Sequence, residues 1–158
     1  MIVLADTNEA MVQAWMKYFP AIVPIFHRDI FAVQMDTLIS PGNSSGSMTG
    51  GLDGEIARRW PYLDPMVRDK ALMGVGEAVP FRCKYAGDCP FTYLLYTPTM
   101  PGARDISDTN NVYLAMKAIM RFDGLLGVMA IPGLGTGVGK MPVEEAAKQM
   151  FAAYEEAK

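Results

Sequence analysis

The chain has 158 residues with 14 basic and 17 acidic side chains, a formal charge of −3, 51% hydrophobic and 20% charged residues. That is enough apolar material for one core and too much for a disordered tail, and the mild acidity argues against general nucleic-acid binding, which needs a basic footprint. No apolar run approaches the roughly 20 residues needed to cross a bilayer, and Met1 to Asp6 lacks the flank of a signal peptide, so a cytoplasmic protein with no membrane partner is expected.

Ile2 to Ala5 is a short apolar run and predicts a strand. Over Asn8 to Phe19, the residues Met11, Val12, Trp15, Met16 and Phe19 recur at helical spacing. Ile22 to His27 and Val33 to Ile39 predict two further strands, and Ser40 to Gly51 a loop rich in glycine and serine. Leu52 to Trp60 and Asp64 to Met73 read as helices. Val79 to Cys83 and Phe91 to Thr97 read as strands, the second through its β-prone Phe-Thr-Tyr-Leu-Leu-Tyr. Ser107 to Phe122 predicts a helix with Ser107 or Asp108 as N-cap. Leu125 to Ile131 is a continuous apolar run, suited to a strand buried on both faces. A second glycine loop, Pro132 to Lys140, precedes a helix opened by Pro142. This alternation predicts an α/β layered domain with a largely parallel or mixed sheet, one domain over residues 1–158.

The reactive side chains are few. His27 is the sole histidine and reads as a strand-end residue. Cys83 and Cys89 are the only cysteines; a disulfide framework needs more of them and a zinc site needs four suitable ligands, so neither metal nor cofactor is expected and both thiols read as packing. Thirteen methionines imply a core filled by an adaptable side chain.

Chemistry concentrates in the two glycine loops. Each follows a buried strand and precedes a helix, where glycine lets several amides converge on an anion and the helix N-terminus adds free donors. Two such loops facing each other suit a diphosphate. A Walker A loop would need glycine at 134 and serine or threonine at 141, but the chain has Leu134 and Met141. The alternation Gly133, Gly135, Gly137, Gly139 also fails the dinucleotide spacing G-x-G-x-x-G. Flexible turns are the alternative for either loop.

Taken together, Arg28-Asp29-Ile30, Ser40-Pro41-Gly42-Asn43, Thr49-Gly50-Gly51-Leu52-Asp53-Gly54-Glu55-Ile56 and Gly135-Thr136-Gly137-Val138 with Pro142 resemble a macro domain, the ADP-ribose-binding module. The resemblance runs from about Ile22 to Tyr154 and is closest to variants associated with bacteriophages and bacteria. It implies a three-layer α/β/α macro domain fold with a central mixed sheet, and ADP-ribose or an ADP-ribosylated macromolecule as partner, in the host cytoplasm if phage-encoded. By position, Asp29 would accept the adenine amino group beside the Ile30 amide. Gly50, Gly51 and Leu52 would line the diphosphate from one side, and Gly133, Gly135, Thr136, Gly137, Val138 and Gly139 from the other. Asn43 would hold the distal ribose, and Asp53 would orient or activate water, a catalytic pair in the hydrolytic branch. Each has a local alternative: Asp29 a turn residue, Asn43 an Asx-turn, Asp53 a helix-dipole partner. Arg58 and Arg59 read as a solvated helix face.

The implied activity is hydrolysis of ADP-ribose conjugates, either O-acyl-ADP-ribose or mono-ADP-ribosylated carboxylates. Removal of phosphate from ADP-ribose-1''-phosphate, a reader without turnover and a phage structural or assembly protein are the alternatives. The chain departs from the family pattern at Ser40, which stands for an asparagine, and at Gly139-Lys140-Met141, where the family often reads aromatic-Gly-Tyr. Lys140 is placed to bring positive charge near the phosphates.

Overall fold

The computed structural model describes residues 1–70, 73–83 and 88–158. Six strands form one sheet: β1 (Ile2–Asp6), β2 (Ile25–His27), β3 (Thr37–Asn43), β4 (Val79–Arg82), β5 (Tyr93–Met100) and β6 (Met129–Ile131), in the order β2-β1-β6-β3-β5-β4. All neighbours are parallel except β4, which pairs antiparallel with β5 at one edge. The sheet is therefore mixed. Among the described residues five α-helices accompany it: α1 (Glu9–Tyr18), α2 (Gly51–Arg59), α3 (Leu63–Arg68), α4 (Asn111–Met120) and α5 (Val143–Glu156).

Strand periodicity divides the core into two. Ile2, Leu4, Ile39, Leu95, Met129 and Ile131 face a cluster that takes in α1, α4 and α5. The intervening Val3, Ala5, Leu38, Leu94, Tyr96 and Ala130 face a second cluster holding Ile56 of α2 and Leu63 and Val67 of α3. Helices thus cover both faces, as a buried parallel sheet requires, and the three-layer α/β/α expectation holds. Methionine fills both clusters, with Met11, Met116, Met129 and Met150 in the first and Met35, Met48 and Met73 in the second.

Several boundaries differ from the sequence reading. β3 starts at Thr37 and runs through Pro41 and Gly42 into the predicted loop, pairing with β5 as far as Asn43. Proline is tolerated there because β6 pairs only with Thr37 and Leu38, so β3 has no ladder partner on that side at Pro41. The Leu125 to Ile131 run is a strand only from Met129. Gly124 and Gly127 take positive φ (82° and 69°), and the amides of Leu125 and Leu126 donate back to Phe122. Helix α4 starts four residues beyond Ser107, which instead bonds Asp105, while Asn110 is the N-cap. Strand β2 is shorter than predicted, Ile25–His27. α3 ends at Arg68, and positions 71 and 72 of the helix predicted to reach Met73 lie outside the described residues.

Among the described residues no helix is long and apolar enough to cross a membrane, and no three His, Cys, Asp or Glu side chains cluster as a metal site.

Candidate functional site

Because β1, β3 and β6 are parallel, their carboxyl ends reach the same edge of the sheet, where open α/β sheets bind ligands. Asp6, Asn43 and Pro132 mark those ends and line one cavity of about 260 Å³. Both glycine loops open into it: Gly50, Gly51, Leu52 and Asp53 from one side, Gly133, Gly135, Thr136, Gly137, Val138 and Gly139 from the other. The cradles predicted to face each other do so.

A second cavity of about 260 Å³ adjoins the first, with Asp6, Leu52 and Pro132 common to both. Ala5, Thr7, Asp29, Ile30, Phe31 and Glu55 complete its wall. Asp29 also closes a local turn: it caps the 3-10 helix Ile30–Ala32 by accepting from Phe31 N at 2.9 Å. The guanidinium of Arg59 sits 4.2 Å over the Phe31 ring, and Arg59 and Arg58 both bond Glu55. Arg58 and Arg59 are both exposed, as a solvated helix face implies, and Arg59 in addition stacks on the wall residue Phe31.

The start of α2 leaves its backbone bare. Gly50 is its N-cap and makes no side-chain cap bond, so the first-turn amides have no side-chain acceptor. A Cβ at Gly50 or Gly51 would meet open space. Gly51 has φ +57°, the left-handed region in which glycine is favoured.

Beneath this turn lies a polar knot. Asp53 is 5% exposed and accepts a hydrogen bond from Ser40, itself fully buried on β3. Burial raises the Asp53 carboxyl to about 7, partly opposed by the Ser40 hydroxyl. The Tyr96 hydroxyl donates to Asn43 O at 2.9 Å and accepts from Asn43 N at 3.1 Å, spanning the irregularity between Gly42 and Asn43. Burial and the neighbouring Asp53 push the Tyr96 phenol upward. A Cβ at Gly42 would overlap both the Tyr96 hydroxyl and the Asp53 carboxylate. A carboxyl that titrates near neutrality can give or take a proton under ordinary conditions.

Asn43 forms the Asx-turn anticipated as its alternative role, its Oδ1 accepting from Ser45 N at 3.1 Å, and it lines the cavity at the same time. In the second loop Lys140 N donates to Gly137 O at 3.0 Å and Met141 N to Gly135 O at 2.9 Å, while Ile106 N donates to Gly139 O at 2.8 Å. Lys140 takes φ 56°, is exposed and does not line the cavity; its charge acts on Asp105, whose carboxyl is held low chiefly by Ser107.

Sequence reasoning missed Asp6, Tyr96 and the β5-end residues Thr99, Met100 and Ala103. Asp6 accepts from Gly133 N at 3.0 Å and Asn8 N at 2.8 Å, tying the second loop to β1. Its signal was available: a carboxylate ending a buried strand, two residues before a helix cap. Tyr96 had none, since a tyrosine in a β-prone run reads as packing.

Comparisons with known proteins follow the same lines. A family model described as Macro domain matches residues 39–150. An uncharacterised protein of Aquifex aeolicus is 32% identical over 131 residues, 81% of this chain and 78% of that protein. A Mycobacterium tuberculosis relative is 31% identical over 136 residues, and the chain spans 36% of its length. Among solved structures, the macrodomain of Mycobacterium tuberculosis DarG superposes with TM-score 0.69 at 18% identity, covering 82% of this chain and 87% of that one. Thermosipho africanus DarTG in complex with ADP-ribose superposes with TM-score 0.67 at 18% identity, covering 98% and 50%.

Proposed function

This chain belongs to the macro domain family, and we propose that it binds ADP-ribose across its two joined cavities and hydrolyses conjugates carried on the distal ribose. The observation that carries the reading is the convergence of both glycine loops and the α2 N-terminus on one cavity that shares Asp6, Leu52 and Pro132 with the Asp29 lobe. The diphosphate lies between the amides of Gly51 and Leu52 and those of Thr136, Gly137 and Val138. Among the described residues no basic side chain lines either cavity, so backbone N–H groups and the helix dipole carry the anion. Adenine takes the second lobe, its amino group toward Asp29 and the Ile30 amide. Asn43, with Oδ1 held by Ser45, offers Nδ2 to a ribose oxygen. The structural relative from Thermosipho africanus, solved with ADP-ribose, supports the ligand class.

Hydrolysis of an O-acyl ester or a mono-ADP-ribosylated carboxylate needs a base for water at the distal ribose. Asp53, titrating near 7, takes that proton when ionised, so turnover rises with pH through about 7. The competing reading is a reader without turnover, favoured by the 5% exposure of Asp53 and its engagement by Ser40. Calorimetric titration with ADP-ribose tests the site: a saturable one-site heat is expected, and no heat refutes it. Product formation from an O-acyl conjugate, lost in Asp53→Asn, selects the hydrolase; binding without product in the unaltered chain selects the reader.

A further inference from the structure

Away from the cleft, the polar contacts beyond the end of β4 converge on sulfur. Cys83 follows β4 directly and stays in register, its amide donating to Thr92 O at 2.9 Å and its thiol to Phe91 O at 3.1 Å. Cys89 Sγ lies 3.3 Å from the Tyr62 hydroxyl. Cys83, Cys89 and Tyr62 all pack against the same core cluster, and both Cys89 and Tyr62 act on the Cys83 thiol. Both cysteines are free and half-buried, at the edge of the sheet rather than in its core. Burial, with Cys89 beside it, pushes the Cys83 thiol up to about 12, so the reduced pair has no stabilised thiolate at Cys83.

This corner is mechanically joined to an aromatic column. The Trp60 indole donates to the carbonyl of Asp88, the residue before Cys89, at 3.0 Å. Trp60 meets Phe91 edge-on at 5.1 Å and Phe31 at 5.7 Å. A change in the Cys89 backbone therefore bears on the acceptor of a buried indole.

We infer that Cys83 and Cys89 form a reversible intrachain disulfide whose closure is transmitted to Trp60. The oxidant is a small-molecule disulfide such as oxidised glutathione. Cys89 sulfur displaces one glutathione thiol and forms a mixed disulfide; Cys83 sulfur then attacks Cys89 sulfur and releases the second. Two electrons pass to the oxidant, and the two cysteine protons end on the released thiols. Spatial proximity of the sulfurs makes the second step intramolecular and therefore fast relative to a second external exchange.

The test equilibrates the full chain in glutathione buffers from reducing to oxidising. Both thiols are expected to disappear together, in a monomer lighter by two hydrogens, with Trp60 emission shifting at the same midpoint and both changes reversed by dithiothreitol. Trp15, the other tryptophan, bonds Met150 Sδ in the opposite core, so Trp60→Phe identifies the source of the shift. Cys83→Ser and Cys89→Ser, checked for fold by circular dichroism, each leave only a glutathione adduct on the remaining cysteine. Thiols that stay reactive throughout, a disulfide found only between chains, or an emission unchanged across the transition would overturn the inference. None of these readouts depends on ADP-ribose, so their outcome is separate from that of the proposed function.

Discussion

The two glycine loops look alike in sequence and use glycine differently. In the first, Gly50 and Gly51 face open space and leave the backbone bare toward the cavity. In the second, a Cβ at Gly135 would stand 2.8 Å from Val112 Cγ2 and 2.9 Å from Ile106 Cδ1, and one at Gly139 2.6 Å from Gly135 O. Those two glycines are required by packing against Ile106, and only Gly137 is open in the manner of Gly50. The loops differ underneath as well. Asp53, buried with Ser40 and Tyr96, supports the first, whereas the second is tied down by the bond from Gly133 N to Asp6. One glycine-rich string can thus serve ligand approach or dense packing, and only the neighbours decide which.

The largest effect is expected where a bare position is filled. Gly50 has φ −133°, which any residue adopts, so Gly50→Glu leaves the fold intact while a carboxylate enters the space assigned to the diphosphate. Calorimetry should show ADP-ribose affinity falling by at least about 1,000-fold, roughly 4 kcal/mol, with an unchanged melting temperature; retained affinity refutes the placement. Gly51→Glu has the same aim but adds about 1–2 kcal/mol of left-handed strain, so Gly50 gives the cleaner answer.

Next comes the knot under the first loop. Asp53 ionises near 7 in the folded chain and near 4 when unfolded. Between those values the folded state holds a proton that the unfolded state has lost, so the contribution of Asp53 to stability falls as pH rises and levels off above about 7. Urea unfolding should show a loss of about 2–3 kcal/mol between pH 5 and pH 7. Asp53→Asn should flatten that slope; an equal slope in the variant would remove the buried carboxyl from the account.

The smallest effect separates the two kinds of glycine inside one loop. Gly139→Ala should destabilise by about 1–3 kcal/mol through overlap with Gly135 O and Ile106. Gly137→Ala should fall within about 1 kcal/mol of the parent. Equal melting temperatures for the two variants would erase the distinction.

Much of this was legible in the residues. The alternation of Ile2 and Leu4 against Val3 and Ala5, and the helical spacing of Met11, Val12 and Trp15, specify local geometry by themselves, because burial selects the period of each element. The glycine loops stood out through a residue type whose backbone has few other uses, and Asp29 only through the family resemblance. Strand ends were less legible: Pro41 within β3 and the turns at Leu125 to Val128 depend on where β6 begins to pair, which is a long-range fact. Arg59 lies on an exposed face as its sequence implied, but its stacking on Phe31 was not legible because Phe31 lies on another element. Tyr96 was invisible as a site residue because its phenol acts on Asn43, more than fifty positions away in sequence.

The amino-acid sequence alone therefore determined the α/β layering and the two glycine-rich segments that follow buried strands, since both follow from periodicity and local backbone preference. Tertiary structure decided which glycines are bare and which are packed, where the lysine charge falls, and that Asp53 titrates near neutrality. Each of those depends on atoms brought together from distant strands, and burial by such neighbours is what shifts a carboxyl or forbids a Cβ.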